Sequence, residues 1–77
     1  MTAGDLQDML VTKLVREAGR TRRHWRLVVG PVRVHDRATH AHCNWSIAPS
    51  GDAYENDAVE RIVDDLRLDH PFVEKFS

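Results

Sequence analysis

Residues 25–48 read WRLVVGPVRVHDRATHAHCNWSIA, and the way this stretch folds decides the architecture of the chain. Its second half alternates without a break: Ala41, Cys43, Trp45 and Ile47 fall on one parity, His40, His42, Asn44 and Ser46 on the other. Successive side chains of a strand point to opposite faces, so the pattern predicts a half-buried strand with a polar, histidine-bearing outer face. The first half reads as a partner strand, with Trp25, Leu27 and Val29 alternating with Arg26 and Val28. Beyond Gly30-Pro31 the apolar positions become Val32 and Val34, and one extra residue at a β-bulge near Gly30 would return both sets to one face. A tight turn at Gly30-Pro31 is the alternative, and it makes three strands of two. Pairing His35 with His40 across residues 36–39 sets Val34 against Ala41 and Val32 against Cys43, so turn and apolar faces agree on one register.

Working outward from the hairpin, residues 5–18 carry Leu6, Met9, Leu10, Leu14, Val15 and Ala18 at helical spacing, which predicts an amphipathic helix. Thr2 or Asp5 can cap its start, and Gly19 can take the left-handed stop. Residues 20–23 form a basic connector. After Pro49-Ser50-Gly51, Ser50 or Asp52 can cap a second helix running to about Leu68, with Glu55 as the capping-box partner of Asp52. Its stripe is Tyr54, Ala58, Val59, Ile62, Val63 and Leu66, and its outer face is acidic. His70 before Pro71 disfavours further helix. Phe72, Val73 and Phe76 follow in a tail too apolar to be left in water, which predicts docking on the domain or on a partner. The expectation is a single α+β domain over residues 1–77, two-layered, ordered helix, antiparallel β-hairpin, helix and apolar tail.

At 77 residues the chain has room for one core, near the size at which burial only just offsets the entropy of ordering. Self-association is one way to enlarge such a core, and a homodimer buried on the tail residues Phe72, Val73 and Phe76 is expected. The single Cys43 excludes an internal disulfide and suits a reducing, cytoplasmic location. No apolar run is long enough to span a bilayer, and the first ten residues carry acids where a targeting segment would carry bases.

The net charge of −1 conceals an asymmetry. Residues 1–40 hold eight Lys or Arg against four acids, and residues 41–77 hold three against eight. Such polarity suits a basic binding surface, or two faces that attract each other within or between subunits. Arg20, Arg22, Arg23, Arg26, Arg33 and Arg37, with the hairpin histidines, make nucleic-acid phosphates one candidate ligand. Aromatic residues for base stacking are missing from that face, because Trp25 and Trp45 both fall on the apolar side.

His35, His40 and His42 share the polar face near the turn, and His40 and His42, two apart on a strand, can point imidazoles toward a common ion such as zinc. A structural zinc site wants four ligands, and Cys43 points to the opposite face from His42. That divergence also prevents His42 from activating Cys43 as a nucleophile. Glu60 and Asp64, one helical turn apart, can share a divalent cation, although a solvated acidic face explains them equally well. No motif calls for a cofactor, and no residue pattern assigns a catalytic role. The sequence therefore reads as a small non-enzymatic binding or assembly protein, with a protein or nucleic-acid partner and the hairpin's polar face as its candidate site.

Overall fold

The computed structural model describes residues 1–75, which form an α+β domain of three helices and a two-stranded antiparallel hairpin. Phe76 of the expected tail interface lies outside the described residues.

Helix α1 spans Ala3–Ala18. Thr2 caps it, accepting from the Asp5 N–H while the Asp5 carboxylate accepts from the Thr2 N–H, so two backbone donors that the helix leaves unpaired are satisfied reciprocally. Leu6, Leu10, Val11 and Leu14 form its buried stripe.

Residues 22–29 overturn the strand expected from Trp25 onward. They form helix α2, Arg22–Val29, capped by the Thr21 hydroxyl and stopped by Gly30 at φ +67°. No β-bulge forms near Gly30; the glycine closes a helix, because a residue without Cβ enters positive φ at little cost. Trp25, Val28 and Val29 are buried, at i, i+3 and i+4, whereas Leu27, which the strand reading placed in the core, is 71 % exposed. The segment WRLVV satisfies both periods, and β-branched valines favour the strand locally. Packing reverses that preference: the helix buries the whole Trp25 ring, whose indole N–H donates to Gly19 O at 2.6 Å.

The hairpin is correspondingly short. Strand β1, Arg33–Val34, pairs with strand β2, Trp45–Ser46, in the register Arg33↔Ser46 and Val34↔Trp45. The expected pairing of Val34 with Ala41 and of Val32 with Cys43 is thus displaced by four residues. Two strands, not three, are present among the described residues. Between the strands lies a loop in which Asp36 accepts from Ala38, Thr39 and His40. That local network draws residues 36–40 into a turn of their own and prevents His40 from pairing as a strand residue.

Helix α3, Ala53–Asp69, starts with a second capping box, Asp52 with Glu55. It buries Ala58, Val59, Ile62, Val63 and Leu66, while Tyr54, expected in the stripe, is 61 % exposed at the first turn. The core lies between the three helices and is completed by Trp45 and Val73.

Val73 is therefore part of this chain's own core and does not serve as an exposed interface residue. The residue that seats it is Asn44, expected on the outer face of the hairpin but in fact buried. Its side-chain amide donates to Val73 O at 2.9 Å and accepts from Val73 N–H at 2.8 Å, replacing the peptide group of a neighbouring strand. Asn44 N–H donates to Pro71 O, and Trp45 Nε1 donates to His70 O at 2.8 Å. Further along, Ala3 N–H donates to Glu74 O and Glu74 N–H to Met1 O, so the tail also runs parallel to the start of the chain.

Candidate functional site

Two polar constellations stand out, one inside the domain and one on its surface. The inner one is built on Glu55, which is 5 % exposed. One carboxylate oxygen accepts from Asp52 N–H, and the other meets both the Arg20 guanidinium and His24 Nε2. The Asp52 hydrogen bond is the main reason that the Glu55 carboxyl lies below its ordinary value of 4.5, followed by the His24 hydrogen bond, which together with the charges of Arg20 and His24 outweighs the opposing effect of burial. A carboxylate held ionised with its lone pairs engaged is suited to locking elements together and poorly suited to proton transfer. It ties the 20–21 connector, α2 and the start of α3 at one point. Gly51 makes this approach feasible: a Cβ there would lie 2.7 Å from Glu55 Oε1 and 2.8 Å from Glu55 Cβ. Arg20 occupies φ +67°, a region unfavourable for a residue with a side chain, and its contact with Glu55 helps to hold it there.

The arginines expected to form one phosphate-binding face are largely committed elsewhere. Arg20 belongs to Glu55, Arg22 donates to Thr12 Oγ1 at 2.8 Å, and Arg26 pairs with Asp8 at 3.1 Å, both on α1. Arg37 lies 4.5 Å above the ring of Phe72, which is half-buried beneath it. Arg23 and Arg33 are exposed, with no hydrogen-bond or ion-pair partner among the described residues. No single stripe of unpaired arginines results.

The histidines, by contrast, are brought together. His35, His40 and His42 line one open cleft of about 520 Å³ between the hairpin loop and the end of α3, with Thr39, Ser46 and Arg67 also on its walls. The His35 and His40 rings stack, centroids 4.2 Å apart and planes inclined by 15°. Each is oriented by a hydroxyl: His35 Nε2 lies 2.8 Å from Ser46 Oγ, and His40 Nδ1 lies 2.9 Å from Thr39 Oγ1. Parallel imidazoles do not aim lone pairs at a common point, and among the described residues no three His, Cys, Asp or Glu side chains are grouped so as to hold a metal ion. Glu60 and Asp64 line a separate groove of about 280 Å³ on the other side of Arg67.

Arg67 is the residue that sequence reasoning missed. It sits near the end of an acidic helix, where a basic residue is explained by the helix dipole, and only the fold turns it toward the histidines. Its guanidinium lies 5.8 Å from the centre of the Trp45 ring, and its nearest carboxylate, Asp64, is 3.6 Å away, too far for a good hydrogen bond. The cleft thus has a guanidinium, three imidazoles, two hydroxyl residues and Cys43 on its walls, and no carboxylate.

No helix among the described residues is long and apolar enough to cross a membrane. The chain matches no protein-family model, and no curated protein and no solved structure is significantly similar to it.

Proposed function

We propose that the protein is a non-catalytic binding module that takes an anionic group, phosphate above all, in the cleft between the hairpin loop and α3. The observation that carries this reading is the chemistry of the cleft walls: Arg67, His35, His40 and His42 converge there without a carboxylate. Guanidinium and imidazole N–H groups are strong donors to phosphate oxygens, and Arg67 has donors to spare because Asp64 engages it only weakly. Cys43 is the single thiol and is unpaired, which favours a reducing, cytoplasmic setting. Isothermal titration at low salt with inorganic phosphate tests the reading. Binding should occur and should be lost in a combined Arg67→Ala, His42→Ala variant, both residues being exposed. Equal heats from the variant, or none from the parent, overturn the proposal.

Self-association is supported by a different observation. Leu27 on α2 and Tyr54 and Leu68 on α3 are 71 %, 61 % and 83 % exposed. Helix α2 carries three arginines and no acid, and α3 carries six acids against two arginines. A second copy offers each helix a surface of opposite charge and covers apolar side chains at the same time. Sedimentation at micromolar protein should then show a dimer that dissociates as salt rises; a monomer at low salt removes this reading.

A further inference from the structure

Resting on the anion-binding reading, we infer that the ligand of the cleft is a nucleotide unit: a phosphate joined to a flat aromatic base, with the base laid on the His35–His40 stack and the phosphate on Arg67. Volume is the first argument. The cleft holds about 520 Å³, within the range of small-molecule sites, and an inorganic anion on Arg67 would leave most of it to water.

The second argument is the stacked pair of imidazoles. His35 is half-buried and His40 exposed, so the stack runs outward from the domain. Ser46 and Thr39 hold the two rings at defined angles through their hydroxyls, which leaves His35 Nδ1 and His40 Nε2 without protein partners among the described residues. A third flat ring continues such a stack at little entropic cost, because the two rings are already ordered. Any base has a π face, so the arrangement selects for an aromatic base without specifying which one.

The third argument is the position of Arg67. It lies over Trp45 on a different wall from the hairpin loop, so a ligand that satisfies both walls needs an anion and a ring at separate ends. Phosphate alone satisfies one wall, and a neutral aromatic satisfies the other.

Calorimetry on the full chain, with fluorescence of Trp45 as a second readout, compares inorganic phosphate, ribose 5-phosphate, adenosine 5′-monophosphate and a ten-nucleotide single strand. Trp25 is sealed in the helical core and supplies a constant background. The monophosphate should bind about tenfold more tightly than ribose 5-phosphate, the contribution of one stacked base. His40→Ala should remove that advantage, so that the monophosphate and ribose 5-phosphate bind the variant equally; His40 is exposed, so the fold tolerates the change. A monophosphate that binds no better than ribose 5-phosphate overturns the inference and leaves the anion reading standing. Failure of all four ligands overturns both. Tighter binding of the oligonucleotide than of the monophosphate supports the same chemistry, with the nucleotide presented within a strand.

Discussion

Replacing Asn44 by Ala tests the most consequential contact in the fold. Asn44 is 4 % exposed, and its amide satisfies both the N–H and the C=O of Val73. If the tail stays in place after the substitution, two buried peptide groups are left without partners, at roughly 1–3 kcal/mol each. If the tail lifts off instead, those groups are hydrated but the Val73 side chain is exposed, at roughly 1.5–3 kcal/mol, and the pairing with Thr2 is strained or lost. The molecule takes the less costly route, so the expected loss is about 2–3 kcal/mol. For a domain of this size that lowers the melting temperature by roughly 10–20 °C. Urea and thermal unfolding followed by circular dichroism measure it, and the decisive comparison is the same substitution in a chain ending at Pro71. If Asn44 acts by clamping the tail, its effect there should fall below about 1 kcal/mol, a clear departure from additivity. A loss below about 0.5 kcal/mol in the full chain, or an undiminished loss in the shortened one, would mean that Asn44 does not clamp the tail.

Other substitutions follow from the same contacts. Trp25→Ala should cost about 3–5 kcal/mol by leaving a cavity between the helices, whereas Leu27→Lys should stay within about 0.5 kcal/mol; a strand running from Trp25 would reverse the second expectation. Gly30→Ala should cost about 1–2 kcal/mol by backbone strain alone, since a Cβ there meets nothing within 4 Å, and a neutral result in urea unfolding would argue against the positive φ. The Glu55 carboxyl is depressed below its ordinary value of 4.5, so its stabilising contribution is complete above that pH and is lost as pH falls through the lower folded-state value. Glu55→Gln should therefore flatten the acid limb of the stability–pH profile below 4.5; an unchanged slope would place the acid sensitivity elsewhere, with Asp5, also depressed by its Thr2 hydrogen bonds, the next group to test. Gly51→Ala should disturb the same lock through the clash with Glu55, seen as weaker protection of the Glu55 amide in hydrogen exchange.

Helices α1 and α3 were legible because each carries its own punctuation. Thr2 with Asp5 and Asp52 with Glu55 are local capping boxes, and a sustained 3.6-residue period lies behind each. The order helix, hairpin, helix also followed from spacing, with α2 added before the hairpin; His35, His40 and His42 do line one cleft, but through the loop and not through the strand register from which a shared face was inferred. The short segment after Thr21 was not decidable in this way. Five residues, WRLVV, fit a strand and a helix equally, and the choice rests on whether Trp25 finds a groove between two other helices. That groove exists only in the folded chain. The hairpin register failed for a related reason: Asp36 organises its loop through hydrogen bonds that shorten the strands, and Asn44 turns inward because Val73 arrives from a distant part of the chain.

Periodicity and caps act over one or two turns of chain, so the sequence by itself determines that α1 and α3 form and most of the apolar stripe on which each packs, while the structure settles which cap is used and turns Tyr54 outward. Burial of Trp25, the clamp of Asn44 on the tail, the meeting of Arg20 and His24 on Glu55, and the placement of Arg67 opposite the histidines depend on residues far apart in the chain. Contacts of that kind carry no local signature, because each side chain is explained just as well by its own helix or loop until tertiary packing removes it from water and selects its partner.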